Sequence, residues 1–290
     1  MSRRRRTRWR RPAGETPQES LSPESARRSG RGGIRPKTIA FLAVVAIIVT
    51  AAIVSGLVLL LRPGDSRPKA LIVDQLGATI PNQEFINTTV TTLLDAGYDV
   101  HYAPGEKVTV DFYSEMGGRG YDLIILRAHV ARLGDRVTKE LGDDAIIFTS
   151  EPYTETKYVK DQQAGHLAFA HTYAGGQLYF GLPPAFIKAA IKGSFDGATI
   201  IIMGCDALRS DAAAQAFVDK GAKAVIGWAG PVTASHTDAA TEKLIQHLIA
   251  DRESTAQAVA QTMEEVGPDP AYPDGGPLRV YPQEADFVLP

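Results

Sequence analysis

The chain has 290 residues, of which 44% are hydrophobic and 22% charged, and it has a formal net charge of −2 at pH 7. This composition excludes a disordered or collagen-like chain, and the length is sufficient for one sizeable hydrophobic core. The single cysteine, Cys205, excludes an intramolecular disulfide.

Residues 1–37 form a basic tail rich in Ser, Pro and Gly. The tail contains eleven Arg, one Lys and three Glu, a net charge of +9, so the rest of the chain carries −11. We predict a disordered cytoplasmic tail, because this composition cannot build a core. An arginine run can bind nucleic acid, but beside a predicted membrane span it favours a topology signal that contacts anionic lipids. We therefore expect no nucleic-acid partner.

An uncharged apolar run follows the tail and predicts a transmembrane helix at residues 38–62. It is long enough to cross a hydrocarbon core of about 30 Å as a helix. A cleavable signal peptide has a shorter apolar region and a small-residue cleavage site, whereas Arg-Pro-Gly-Asp follows here, so we predict an uncleaved signal anchor. The arginine excess before the span places the N-terminus in the cytoplasm. The predicted localisation is the cell membrane, with a single span and an extracytoplasmic C-terminal domain.

A polar linker at residues 63–68 precedes an exterior domain at residues 69–290. Strands are predicted at 69–76, 98–103, 121–129, 198–205 and 222–228, and helices at 82–96, 211–220 and 237–250. Near-continuous Ile, Val and Leu runs, with helices between some of them, are typical of a mostly parallel sheet covered on both faces. The predicted fold class is therefore α/β.

Two segments of this domain depart from a simple alternation of strands and helices. Residues 130–197 are too long for one crossover, so we predict a small β-hairpin insertion that leads into a helix starting near Pro183 or Pro184. From about residue 267 the chain is rich in Pro and Gly. We expect this C-terminal extension to wrap around the domain and to end in a short extended segment.

Three residues with useful chemistry lie at the carboxyl ends of predicted strands, where open α/β sheets collect their reactive groups. They are Asp74, His129 and Cys205. If the third and fourth strands are neighbours, His129 and Cys205 face each other. A thiol and an imidazole in that arrangement are the minimum for nucleophilic acyl transfer. A lone cysteine at a strand end is otherwise most often a small core residue.

The run GLPPAFIKAAIKGSFDGATIIIMGCDALRSDAAAQAFVDKGAKAVIGWAGPVT, together with YDLIILRAH upstream, resembles the caspase-like cysteine peptidases. The similarity is to their gingipain, clostripain and CHAT-like branches, and it covers roughly residues 69–250. It implies a three-layer caspase-like fold and a cysteine endopeptidase that acts on a peptide or protein substrate. It implies neither a metal nor an organic cofactor.

The resemblance also implies roles for individual residues. By position, Cys205 would be the nucleophile and His129 the general acid and base. The backbone N–H groups of Cys205 and Val130 would form the oxyanion hole. The family's histidine is usually followed by Gly, whereas Val130 follows here, and a β-branched residue disfavours positive φ. A catalytically inactive domain that serves binding or assembly at the cell surface is therefore the main alternative.

Three further residues are candidates for a substrate pocket or for supporting the histidine. Asp74 could orient His129, could bind an Arg or Lys side chain of a substrate, or could be a solvated loop residue. Asp206 could face the pocket or start the following helix. Trp228 occupies the place where the family forms a pocket wall, but a Trp after an apolar strand is often core.

The sequence also bears on a metal site and on a fold without catalytic function. His166 and His171 are five residues apart, whereas helical ligand pairs are usually three or four apart, so we expect no metal there. The remaining alternative is a generic doubly wound sensor domain in which Cys205 belongs to the core.

Overall fold

The computed structural model describes residues 67–134 and 141–290, and their strands form two separate sheets. In chain order the strands are β1 (Lys69–Asp74), β2 (Asp99–Pro104), β3 (Leu123–Arg127), β4 (Val130–Gly134), β5 (Leu141–Pro152), β6 (Ala168–Ala170), β7 (Tyr179–Leu182), β8 (Thr199–Ile202), β9 (Ala224–Trp228) and β10 (Leu278–Tyr281). The larger sheet has the order β10-β9-β8-β3-β1-β2. All of its pairings are parallel except that between β10 and β9. The predicted α/β fold with a mostly parallel sheet is confirmed.

Helices cover both faces of this sheet. In chain order the helices are α1 (Gln83–Asp95), α2 (Val110–Ser114), α3 (Val159–Gln163), α4 (Pro184–Ala189), α5 (Ala212–Asp219), α6 (Ala234–Ile245) and α7 (Thr255–Val266). The short helix α3 lies in the insertion between β3 and β8 and buries no residue. A π-helical turn, Gln246–Ala250, continues α6.

The two faces of the sheet build two hydrophobic clusters because successive strand residues point to opposite sides. In β1, Leu71 and Val73 belong to the cluster that also contains residues of α2, α4 and α5. Ala70 and Ile72 belong to the cluster that contains residues of α1, α6 and α7. Burial of each Leu or Ile side chain contributes about 1.5–3 kcal/mol, so these two clusters dominate the stability of the domain.

The strands end earlier than predicted, so His129 and Cys205 lie beyond the ends of β3 and β8, whereas Asp74 is the last residue of β1. The strand predicted at 69–76 ends at Asp74, because Gln75–Ala78 form a 3-10 turn. The strand predicted at 198–205 ends at Ile202, so Cys205 lies in the loop that follows.

The insertion between β3 and β8 is a four-stranded antiparallel sheet in the order β4-β5-β7-β6. It is larger than the predicted hairpin. Its exit is as expected, because α4 begins at Pro184 with Pro183 as its N-cap. Proline suits this position, since the first helical N–H has no partner within the helix.

The C-terminal region differs most from the sequence-based expectation. A long helix that was not predicted, α7, begins with a capping box formed by Ser254 and Gln257. The Pro/Gly-rich segment after it supplies the edge strand β10. Near the end of the chain, Val288 forms an isolated antiparallel bridge with Ser254.

No helix within residues 67–134 and 141–290 is long and apolar enough to cross a membrane. The predicted tail at 1–37 and span at 38–62 lie outside the described residues, as do all but the last two residues of the predicted linker.

Candidate functional site

The adjacency of β3 and β8 brings His129 and Cys205 to the same end of the sheet. The two strands pair in parallel, with Leu126 opposite Ile202 as the last paired residues. His129 and Cys205 each follow three residues later, so both chains leave the sheet side by side with the two side chains at matching positions. The condition under which His129 and Cys205 were expected to face each other, that these strands are neighbours, is therefore met.

Gly204 allows the two chain segments to stay close beyond the sheet. A Cβ atom at Gly204 would lie 2.4 Å from Val130 Cγ2 and 2.6 Å from the carbonyl oxygen of Ala128. The second contact is with backbone, which cannot move aside as a flexible side chain can. The glycine before Cys205 is therefore required for the close approach of the cysteine loop to the histidine strand.

His129 and Cys205 both line one cavity of about 310 Å³ at this end of the sheet. Its other described walls come from the turn after β1, the start of β4, the middle of β5, the loop after β6, and the first turn of α6 with the loop before it. The lining residues include Leu76, Ile80, Val130, Phe148, Met203, Val232, Thr237 and Tyr272. None of the described lining residues is a carboxylate, so the cavity has no described anionic group for a basic substrate side chain.

The Cys205 side chain is partly buried and protonated in its resting state. Its thiol donates to the carbonyl of Val232 at 3.2 Å. Burial raises the pKa of the thiol above its ordinary value, and the nearby carboxylates of Asp206 and Asp269 act in the same direction. A protonated thiol needs a base to become a nucleophile.

The His129 side chain is also partly buried and is biased toward its neutral form. Burial lowers the pKa of its imidazole, and the positive charge of Arg127 lowers it further. The ring lies against Phe148, with centroids 5.6 Å apart. The backbone N–H of His129 donates to Gln75 Oε1 at 2.8 Å, which attaches the histidine to the turn after β1. A neutral imidazole is the form that can accept a proton from a thiol.

The N–H groups of the two predicted oxyanion donors, Cys205 and Val130, form no hydrogen bond with a described backbone carbonyl. The carbonyl of His129 accepts from Phe148 N–H at 3.0 Å, so Val130 and Ile147 form a non-hydrogen-bonded pair. The N–H of Val130 therefore points away from β5. The N–H of Cys205 donates to no carbonyl in the described loops. Val130 is not among the residues with positive φ, so its branched side chain causes no backbone strain there.

Asp74 lies outside the cavity wall, and its described hydrogen bonds are with Arg127 and Tyr102, not with His129. Its side chain is 2% exposed and accepts from Arg127 Nη1 at 2.7 Å and from the Tyr102 hydroxyl at 2.9 Å. Arg127 also donates two hydrogen bonds to Asp238 on α6, each at 2.8 Å. Asp74 does not line the cavity, so the suggested preference for Arg or Lys substrates loses its structural basis.

Asp206 and Trp228 also lie outside the described cavity wall. Asp206 has a left-handed φ of 53° and pairs with Arg209 at 3.3 Å. It does not start the next helix, since α5 begins at Ala212. Trp228 is 1% exposed and donates to Thr237 Oγ1 at 3.0 Å, so it packs in the core and holds a residue that does line the cavity.

The sequence-based reasoning missed the contribution of the C-terminal extension. Tyr272 from this extension lines the cavity. Asp269 accepts from the N–H of Thr233 at 2.6 Å and from its hydroxyl at 2.7 Å. The Asp269 carboxylate therefore fixes the loop before α6, in which the carbonyl of Val232 accepts the hydrogen bond from the Cys205 thiol. A long-range contact of this kind leaves no periodic signal in the sequence.

The two histidines considered as metal ligands are separated in the structure. His166 Nδ1 lies 3.2 Å from Asp161 Oδ1, whereas His171 lines the cavity. A different group, His247 with Asp251 and Glu253, has the ligand spacing of a metal site within the described residues.

Comparison of the chain with protein-family models found no match, and neither did comparison with curated proteins.

Proposed function

We propose that this chain is a membrane-anchored cysteine endopeptidase with a caspase-like fold, in which Cys205 and His129 hydrolyse a peptide bond. The main support is the common exit of the two residues from adjacent parallel strands into one cavity. The similarity of the strand-ending sequences to caspase-like peptidases supports it independently. The three-layer arrangement around the mostly parallel sheet is compatible with that fold.

In the proposed reaction, neutral His129 accepts the proton of the Cys205 thiol and the resulting thiolate attacks the substrate carbonyl carbon. The N–H groups of Cys205 and Val130 donate to the oxyanion that forms. The imidazolium of His129 then protonates the departing amine, which leaves an acyl group on the sulfur. Water hydrolyses this thioester and regenerates the thiol. No step requires a metal or an organic cofactor.

We also propose that residues 38–62 anchor the domain in the cell membrane, with the basic tail in the cytoplasm beside anionic lipids. The support is the uncharged apolar run and the arginine excess on its N-terminal side. Protein or peptide substrates would then be extracytoplasmic. Proteolysis of intact cells, which should remove the domain and spare the tail, tests this orientation.

The enzymatic proposal is tested by labelling the full-length chain with peptidyl acyloxymethyl ketones that carry Leu, Arg or Asp at P1. We expect at least one probe to modify Cys205, with no labelling of Cys205→Ala. His129→Gln should slow labelling by about 100-fold or more, because the thiol loses its base. His166→Gln is the matched control, since His166 does not line the cavity. Equal labelling rates in His129→Gln and the parent chain would exclude the dyad.

A binding domain without catalytic activity is the second candidate. The Cys205 thiol donates to Val232, and none of the described hydrogen bonds joins it to His129. Such a domain would leave the cavity available for a peptide ligand without cleaving it. Failure of all three probes to modify Cys205 in the folded chain would favour this candidate.

A further inference from the structure

A buried histidine faced by three carboxylates lies at the end of α6, and its residues do not line the cavity described above. His247 is 5% exposed. Its Nδ1 atom lies 3.3 Å from Asp251 Oδ2 and 3.6 Å from Glu253 Oε2. Its Nε2 atom lies 3.2 Å from Glu265 Oε1 on α7.

The facing atoms do not satisfy one another as hydrogen-bond partners. Nδ1 of His247 and Oε2 of Glu253 face each other but are buried without a hydrogen-bond partner among the described residues. Nε2 of His247 also has none within hydrogen-bond geometry, although Glu265 Oε1 lies 3.2 Å from it. Buried polar atoms are nearly always bonded, because loss of water without a replacement costs about 1–3 kcal/mol per group. An ion bound between Nδ1 of His247 and Oε2 of Glu253 would give both of these atoms a partner.

Two of the three ligand separations in this group match those around a tetrahedral zinc ion. Nδ1 of His247, Oδ2 of Asp251 and Oε2 of Glu253 all lie within 4.8 Å of one another. Zinc bonds of about 2.0–2.2 Å in tetrahedral geometry place neighbouring ligands about 3.3–3.6 Å apart. Two measured separations, 3.3 Å and 3.6 Å, fall in this range. An imidazole nitrogen with two carboxylates suits zinc better than calcium or magnesium, which prefer oxygen ligands.

Glu265 occupies the position of a supporting residue. Metal-bound histidines usually turn their other ring nitrogen toward a carboxylate, which fixes the tautomer and the ring orientation. Glu265 Oε1 lies beside Nε2 of His247, and its other oxygen pairs with Lys243 at 2.9 Å. A ligand through Nδ1 and a carboxylate at Nε2 is the expected arrangement.

The local backbone brings the ligands together. His247 lies in the π-helical turn, and such turns are often found at functional sites. Arg252 has a left-handed φ of 55°, which reverses the chain between Asp251 and Glu253. The N–H of Glu253 then donates to the carbonyl of His247 at 2.9 Å.

We propose that His247 Nδ1, Asp251 and Glu253 bind one zinc ion, with Glu265 holding the imidazole. A metal at this position joins the π-helical turn after α6 to the loop before α7, and Glu265 connects the group to α7. A fourth coordination position remains for water. The site is independent of Cys205 and His129, so it stands whether or not the chain is a peptidase.

The test uses the full-length chain with Cys205→Ala, which removes the thiol as a competing ligand. After chelation, zinc alone is added, and bound metal is measured by equilibrium dialysis together with the melting temperature. We expect one tight equivalent of zinc and a higher melting temperature in its presence. Asp251→Asn and Glu253→Gln should each weaken zinc binding by about tenfold or more. Cobalt added instead should give the visible absorption of a tetrahedral site without a thiolate band.

Glu264→Gln is the control, because Glu264 neighbours Glu265 on α7 but is exposed and outside the group. It should bind zinc as the parent does. The substituted ligands Asp251 and Glu253 are not core residues, so their variants should fold, and circular dichroism checks this. Absence of tight zinc binding in the parent would overturn the proposal, as would unchanged affinity in both ligand variants.

Discussion

At the scale of single residues, the environments of Cys205 and His129 set the protonation states at the site. Burial raises the pKa of the thiol and lowers that of the imidazole. Both shifts favour the neutral pair over a thiolate and imidazolium pair. The resting site is therefore a thiol and a neutral base, so a thiolate forms only when the imidazole takes the proton of the thiol.

This protonation state predicts the pH dependence of Cys205 labelling by a peptidyl electrophile. The rate should fall on the acid side only below the ordinary histidine pKa of about 6.5, because the lowered pKa keeps His129 neutral to lower pH. On the alkaline side the thiol should remain protonated above its ordinary range. The measurement is the second-order labelling rate between pH 4 and pH 10, in the range where the chain is folded.

The reference for this profile is alkylation of Cys205 in the urea-unfolded chain, which reports the ordinary thiol pKa. An acid limb at or above pH 6.5 in the folded chain would contradict the lowered pKa of His129.

At the scale of secondary-structure elements, Arg127 joins β1, β3 and α6 through buried hydrogen bonds next to the site. It is fully buried at the end of β3 and bonds Asp74 at the end of β1 and Asp238 on α6. It also donates to the carbonyl of Ile80 at 2.9 Å, which fixes the turn that contributes to the cavity wall. The network therefore couples the stability of the sheet end to the shape of the site.

We predict that Arg127→Met lowers the free energy of unfolding by about 3–5 kcal/mol, because it leaves two buried carboxylates without their cation. The measurement is the urea midpoint at an unchanged denaturant slope. Arg209→Met is the control, since the Arg209 side chain is 41% exposed where it pairs with Asp143 and Asp206, and it should change the midpoint little. Similar midpoints for the two variants would show that the buried network contributes little.

At the scale of the whole molecule, the end of the chain closes the helical layer that packs on one face of the sheet. Leu289 is 1% exposed within the cluster that contains residues of α1, α6 and α7. The carbonyl of Pro290 accepts from the Tyr98 hydroxyl at 3.0 Å. The extension therefore contacts both edges of the larger sheet. It supplies β10 at one edge and bonds Tyr98, directly before β2, at the other.

We predict that Leu289→Ala destabilises the chain by about 2–5 kcal/mol, since it removes a buried side chain and leaves a cavity. Val288→Ala is the matched control, because Val288 is 46% exposed and pairs with Ser254 only through its backbone. Thermal and urea unfolding of both variants measure the difference. Equal stability of the two variants would mean that the last residues are not docked in solution.

The sequence was sufficient to predict individual elements but not their partners. The run containing Leu71 and Val73 is almost wholly apolar. Such a run indicates that both faces of the strand are buried, but it does not indicate which strands are its neighbours. The helix α7 was missed although Ser254 and Gln257 carry a recognisable capping-box spacing. The ion-pair partner of Asp74 could not be predicted from the sequence. Arg127 is distant along the chain and becomes adjacent only when β1 and β3 pair.

The sequence by itself therefore determined the apolar strands, most of the helices between them, and the positions of His129 and Cys205 near strand ends, because local apolar patterns record burial. Only the tertiary structure decided that β3 and β8 are neighbours in a register that aligns these two residues. It also decided that Asp74 pairs with Arg127, and that His247 meets Glu265 from another helix. Strand order and helix packing arise from long-range burial, which the spacing of residues along the chain does not record.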